Sequence, residues 1–374
     1  MKELTELIDA DRMRKDVEYL ANFPTRNTNT PHLEVAAEWM LSRYKEVKGV
    51  DAELWKYKVA ASRRIVADKE VVEVVASMKG TSDRRILIGG HLDTVNMSQG
   101  ADPFTSKSPG ANDDASGTIL ALELARAMAD VPRKQTCMFA AFSGEEQGLL
   151  GSRALAQRAK AEGWKLDAVL SNDMVGNSSN NHGQKDDRRV RVFSDVAGTE
   201  NPTANSRELA RFVEWITRGR VKGFGVKLVF RADRFGRGGD HTPFHQAGFP
   251  AVRVVEVHEE YSRQHTDNDL AKFMDWKYLA NCARINLLAY ASLANADEPP
   301  TNVRVTRDQG HDTTITWRGK PGVCYAVYWR ETTSPIYQDV VHAGEVDKIT
   351  IKKVNKDDHV FAVGAEGGCP VEAL

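Results

Sequence analysis

Apolar positions recur along this chain with two different periods. Residues 5–22 and 33–48 place them at helical spacing on either side of FPTRNTNTP, a run of turn formers, and are expected as outer helices. Short β-branched or apolar runs then begin. VVEVVASM at 71–78, RILI at 85–88 and TCMFAAF at 136–142 each predict a strand, the last two buried. Between those two, SGTILALELARAMAD returns to helical spacing, and the resulting β-α-β order favours a parallel sheet with helices on both faces. The alternation continues with a helix after Gly148, strands in LDAVLSND and RVRVFSD, a helix in TANSRELARFVEWITRG, strands in VKLVF and PAVRVVEV, and a helix over 269–295. The expected fold is α/β, with a mostly parallel central sheet flanked by helices.

The pattern changes at Asp297-Glu298-Pro299-Pro300. Beyond it NVRVTRD, TTITWRG, CYAVYWRE, DKITIKKV and HVFAVGAEG alternate at period two between Gly, Pro and Asp punctuation, so a small all-β sandwich is expected. The predicted division is 1–297 for the α/β part and 298–374 for the sandwich. Trp317, the tyrosine-rich third strand and the Pro-Pro opening resemble a fibronectin type III module. No cluster of catalytic residue types falls there, and its expected role is a spacer or accessory binding module.

Composition narrows the partners more than the fold. A length of 374 residues suits one large domain and one smaller one. The 51 basic and 52 acidic residues leave no net field to gather nucleic acid or an anionic membrane. No apolar run approaches 18 residues, so membrane insertion is not expected, and the N-terminus MKELTELIDADRMRKDVEYL is too charged for a signal peptide. Cys137, Cys282, Cys324 and Cys369 form no CxxC pair, which leaves neither a zinc knuckle nor a redox motif and does not decide whether Cys324 and Cys369 pair. A sandwich appended to an α/β domain points by analogy to a secreted or periplasmic protein, while the missing signal keeps the cytoplasm open.

Chemistry-bearing residues gather just past predicted strand ends, where open α/β sheets place their ligands. ILIGGHLDTV carries His91 and, two residues on, Asp93, whose carboxylate could accept the second ring N–H and fix the tautomer. SPGANDDASG carries Asp113 and Asp114 before a helix; FSGEEQGLL carries Glu145 and Glu146 after a strand; SNDMVG carries Asp173; EEYSRQHTDND carries His265. Each alone has a plainer explanation: a solvated glutamate pair, aspartates that cap a helix, a histidine satisfied by neighbours. Together they form a nitrogen and oxygen donor set suited to zinc, with carboxylates able to bridge two ions.

GGHLDTV, PGANDDASG, FSGEEQGLLGS, SNDMVG, GGDHTPFHQAGFPAVRV and QHTDND, in that order, resemble the M28 family of zinc aminopeptidases over about residues 10–295. The resemblance implies a phosphorylase/hydrolase-like fold and two Zn2+ ions. His91 and Asp173 would hold one, Glu146 and His265 the other, with Asp113 between them. It makes Glu145 the general base and Asp93 the partner of His91, with Asp114, Asp240 and His241 in support and the Asp113–Asp114 peptide cis. Tyr261, four residues before His265, is the candidate donor to the oxyanion, with His241 second; Glu145 and Asp173 are the nearest acceptors for a substrate ammonium. Phe235, Phe244 and Phe249 are expected in the core near the site. The implied activity is removal of N-terminal residues from peptides. Alternatives are a glutaminyl cyclase-like acyltransferase, which would keep one zinc, a carboxypeptidase of the same family, and a non-catalytic binding scaffold, which would lack Glu145 or a ligand.

Overall fold

A computed structural model describes residues 2–196, 204–233, 237–307 and 310–374; Phe235 lies outside these. Eight strands form one sheet: β1 (Asp51–Val59), β2 (Lys69–Met78), β3 (Arg84–His91), β4 (Thr136–Phe142), β5 (Lys165–Asn172), β6 (Arg189–Phe193), β7 (Gly225–Val229) and β8 (Ala251–Glu256). Their order is β1-β2-β4-β3-β5-β8-β6-β7. The central four, β4, β3, β5 and β8, run parallel, whereas β2 and β6 join them antiparallel. The helices are α1 (Lys2–Thr5), α2 (Ala10–Ala21), α3 (Pro31–Lys45), α4 (Ser116–Met128), α5 (Leu150–Ala161), α6 (Ala204–Thr217), α7 (His241–Ala247) and α8 (Trp276–Asn295).

The continuous apolar run of β3 is explained by burial on both faces. Ile86 and Ile88 belong to the core shared with α4 and α8, while Leu87 packs with Leu155, Ala159 and Phe244 on the opposite side. Gly90 and Gly117 let α4 press against the sheet: a Cβ on Gly117 would meet the Asn172 carbonyl oxygen at 2.2 Å, and one on Gly90 would meet the Gly117 carbonyl carbon at 2.5 Å. The helix N-terminus therefore sits directly over the ends of β3 and β5.

Three local expectations are revised. The helix expected over residues 5–22 is broken, because the Asp9 side chain accepts from Asp11 N and Arg12 N at 3.0 Å each and starts a fresh helix at Ala10. The last helix begins at Trp276 instead of 269, capped by Asp275 on Tyr278 N at 3.0 Å. Strand β1, DAELWKYKV, was not anticipated; it is an edge strand in which Tyr57 alone is buried, so its charged alternation hid it.

The C-terminal part is all antiparallel, built from β9 (Thr301–Val305), β10 (Thr313–Arg318), β11 (Tyr325–Glu331), β12 (Asp339–Gly344), β13 (Lys348–Ile351), β14 (His359–Ala365) and β15 (Val371–Glu372). One sheet is β13-β10-β9 and the other β12-β11-β14-β15, with Ile315, Trp317, Val327 and Phe361 in the core. It docks where Trp215 of α6 meets Tyr328 and Tyr337 edge-on at 5.7 and 6.5 Å, and where Ser292 Oγ of α8 donates to Gly367 O at 2.8 Å. Arg84, at the start of β3, pairs with Asp167 of β5 and lies 3.7 Å from Glu298. The sandwich thus adjoins the N-terminal edge of the parallel strands. All four cysteines are free thiols, so Cys324 and Cys369 do not pair. No helix among the described residues is long and apolar enough to cross a membrane.

Candidate metal centre

At the opposite, C-terminal edge of the parallel strands the predicted residues converge. His91 is the last residue of β3, Asp173 follows β5, Glu145 and Glu146 follow β4, Asp113 lies in the turn that opens α4, and His265 lies in the loop after β8. Parallel pairing of β4, β3, β5 and β8 puts all these ends on one rim.

Asp113 is the centre of the arrangement. One carboxylate oxygen lies 3.0 Å from His91 Nε2 and the other 3.0 Å from His265 Nε2. Each imidazole faces one further carboxylate: Asp173 Oδ1 is 3.9 Å from His91 Nε2, and Glu146 Oε1 is 3.1 Å from His265 Nε2. Ligand atoms of His91, Asp113 and Glu146, and likewise of His91, Asp114 and Asp173, lie within 4.8 Å of one another. Glu146 Oε1 and Asp173 Oδ1 are buried with no hydrogen-bond partner; the 3.1 Å approach of Glu146 to His265 is an ion-pair distance without hydrogen-bond geometry. Buried acceptors of this kind, without a donor, are unfavourable unless a cation satisfies them. Burial alone would lower the His265 pKa, yet the Glu146 and Asp113 carboxylates push it up to about 11, so the field here favours positive charge. The donors fit a divalent cation of the zinc type.

Support for Asp113 comes from residues to which the sequence assigned no role, although Gln264, Asp269 and Arg253 lie within the QHTDND and GGDHTPFHQAGFPAVRV motifs. Asp269 accepts from Asp113 N at 2.8 Å, and Gln264 Nε2 donates to Asp113 Oδ2 at 2.7 Å. Fully buried Arg253 reaches Asp173 Oδ2 at 2.9 Å and Asp233 Oδ2 at 3.0 Å. Arg26, also fully buried, donates to the carbonyls of Leu92 at 2.7 Å, Pro109 at 2.6 Å and Gly110 at 3.0 Å, bracing two loops of the rim. None was identified from sequence, because their partners lie far along the chain.

The predicted supporting residues are all buried, but one works differently from expectation. Asp114 accepts from His91 N at 3.0 Å, Gly117 N at 2.9 Å and Met174 N at 3.1 Å, stapling three rim segments, and the Asp113–Asp114 peptide is cis. His91 Nδ1 lies 3.0 Å from the backbone oxygen of Asp93 and 3.8 Å from its carboxylate. The Asp93 carboxylate instead accepts from Glu145 N at 3.0 Å and Glu146 N at 3.2 Å. Asp93 therefore orients the histidine through its main chain and the glutamate pair through its side chain. Asp240 is buried at the start of α7 without a capping hydrogen bond, and burial pushes its carboxyl up to about 7. His241 is buried too, its pKa driven down to about 3 by burial and by Arg253.

Glu145 is half-buried and lines a cleft of about 440 Å³ together with Asp113, Glu146, Asp173 and His265. Burial, then neighbouring carboxylates, push its pKa well above the usual carboxylate range. Tyr261 is 50% exposed and is not part of the cleft wall. Phe244 is core, packed against Phe142, and Phe249 is partly buried beside it. Five non-glycine residues among those described have left-handed backbones, and three of them, Leu149, Met174 and His265, lie on this rim. Conformations of that cost persist where surrounding structure enforces them, commonly at functional sites.

A carboxylate between two imidazoles at the C-terminal rim of an α/β sheet is a donor arrangement that could hold a metal ion. Comparison with known proteins narrows it. The profile of peptidase family M28 matches residues 73–290. A probable zinc metalloprotease of Leptosphaeria maculans is 33% identical over 409 residues, spanning 98% of this chain and 94% of that protein. The chain belongs to peptidase family M28. In fold it is similar to the LapA aminopeptidase of Legionella pneumophila, with TM-score 0.59 and 21% identity over 78% of this chain and 73% of that one. It is equally similar to a glutaminyl cyclase of Fimbriiglobus ruber, with TM-score 0.60 and 21% identity over 75% of this chain and 94% of that one.

Proposed function

We propose that this protein is a zinc metallopeptidase that removes N-terminal residues from peptides, with two zinc ions sharing the Asp113 carboxylate. The observation that carries the reading is the placement of the two Asp113 oxygens, each 3.0 Å from a different imidazole. In this assignment His91 and Asp173 complete one ion's ligands, and Glu146 and His265 the other's. Bound there, zinc supplies Lewis acidity, acidifying water and polarising the scissile carbonyl.

The remaining work belongs to the chain. Glu145 lies beside the donor set, and neither of its oxygens takes a hydrogen bond from the described residues. It accepts the proton of the attacking water and returns it to the departing amine. The Asp93 carboxylate fixes the backbone of Glu145 and Glu146, of which Glu146 would hold the metal and Glu145 would face the water. Residues 298–374 are assigned as a fibronectin type III-like module appended to the catalytic part at 1–297, on the strength of the three-plus-four strand order and buried Trp317.

A glutaminyl cyclase-like activity is the second reading, favoured by the fold similarity alone. Aminoacyl-nitroanilides, N-blocked peptides and peptides with N-terminal Gln, each assayed with and without chelator, separate the readings. Chelator-sensitive release of unblocked N-terminal residues is expected. Pyroglutamate formation without peptide cleavage would overturn the proposal, and preferential cleavage of N-blocked peptides would shift it to a carboxypeptidase.

A further inference from the structure

The cleft that holds the candidate metal ligands is also walled by three arginines, Arg64, Arg153 and Arg237. Their electrostatic situations differ. Arg237 is spent within the protein, pairing with Glu259 and with Asp233 at 3.4 Å. Arg153, exposed on the first turn of α5, has no side-chain partner among the described residues. Arg64 is also exposed; it anchors one end of its guanidinium by donating from Nη1 to Glu146 O at 2.6 Å, faces no carboxylate partner, and keeps its other N–H groups available.

Charge bookkeeping within the proposed function makes this pair conspicuous. The carboxylates of this cleft already have cationic partners within the proposed function: Asp113, Glu145 and Glu146 would face the divalent ions, and Asp173 would share them with Arg253. Arg64 and Arg153 are then two exposed cations on the wall of the cleft, with no carboxylate partner among the described residues. Guanidinium groups pair with carboxylates through parallel N–H donors, a planar match that a neutral side chain does not offer. An anchored guanidinium also gives up little further freedom on binding.

We infer that Arg64 and Arg153 form a carboxylate subsite, so that the enzyme prefers peptides presenting a free carboxylate next to the residue being released. The carboxylate is either an acidic side chain or the C-terminus of a short peptide. The inference rests on the peptidase reading for its setting, but it concerns recognition and can be read by binding alone.

The test uses metal-loaded full-length protein with Glu145→Gln, titrated calorimetrically with Ala-Glu amide, Ala-Gln free acid and Ala-Gln amide, alongside hydrolysis of the same peptides by the wild type. At least one carboxylate-bearing peptide should bind roughly tenfold more tightly than Ala-Gln amide, an advantage that shrinks with added salt. Which of the two shows it identifies a side-chain or a terminal carboxylate. Arg153→Gln and Arg64→Gln should each erode that ratio, and Arg153→Lys should restore part of it. Equal affinities for the three peptides, or a preference that survives both Arg→Gln changes, would overturn the inference. Carboxylate-selective binding with no hydrolysis by the wild type would overturn the peptidase reading and leave the subsite standing. Hydrolysis without selectivity would do the reverse, and absence of binding by all three peptides would overturn both.

Discussion

The Asp93 carboxylate provides a sharp test, because sequence and structure give it different duties. Sequence spacing made it the partner of His91, whereas the structure aims it at the backbone of Glu145 and Glu146 and leaves His91 to the Asp93 main chain. Asp93→Asn is nearly isosteric and keeps the backbone oxygen, so the histidine should hold its orientation. The amide retains one acceptor and turns an NH2 toward the second backbone N–H, so one of two charge-assisted hydrogen bonds is lost in a fully buried site. Such a bond is worth about 1.5–3 kcal/mol. If that loss falls on the placement of Glu145 in the transition state, turnover should drop about ten- to a hundredfold. The assay is kcat on an unblocked aminoacyl-nitroanilide at saturating zinc, with zinc per chain measured on the same protein. Retained metal with reduced kcat is expected. Zinc affinity weakened about 10- to 100-fold, with kcat unchanged at metal saturation, is the signature of a carboxylate acting on the ligand histidine, and it would refute this account.

Other consequences follow from the same geometry. Glu145→Gln should keep its metal while losing about a hundredfold or more in kcat; activity within about tenfold of wild type would remove Glu145 from the role of base. Arg253→Met strands a buried carboxylate oxygen on Asp173 and leaves Asp233 with Arg237 only, and should cost about 3–5 kcal/mol in denaturant unfolding; a change below about 1 kcal/mol would show that the ion pairs do not hold the rim. Deleting residues 299–374 uncovers Trp215 but lies at the far edge of the sheet from the cleft. The shortened protein should melt earlier and still cleave peptides, and a folded truncation without activity would contradict the accessory role.

Much of the fold was legible because its signals are local. Short unbroken apolar runs such as ILI and TCMFAAF, bounded by Gly and polar residues, favour strands covered on both faces, and the β-α-β order then suggests which loops meet. That same logic placed His91, Asp113, Glu146, Asp173 and His265 on one rim. What stayed hidden depends on tertiary partners. Strand β1 is half-exposed, with charges interleaved among Leu54, Trp55, Tyr57 and Val59, so its signal is weaker than that of the buried runs. β12 and β15, in the same way, are a half-exposed edge and a two-residue strand. Arg26 and Arg253 were assigned no role from sequence, because only the fold surrounds them with carbonyls and carboxylates. Asp93 shows the limit of spacing arguments: its position near His91 was correct, but the choice between main-chain and side-chain acceptor is made by the loop carrying Glu145 and Glu146.

The central claim is that two cations share the carboxylate of Asp113. Anomalous diffraction at the zinc edge from crystals of the metal-loaded protein addresses it directly. Two peaks about 3.5–4 Å apart are expected, one beside His91 and Asp173 and the other beside Glu146 and His265, with Asp113 between them. A single peak at full zinc occupancy, or zinc bound away from Asp113, would contradict the account.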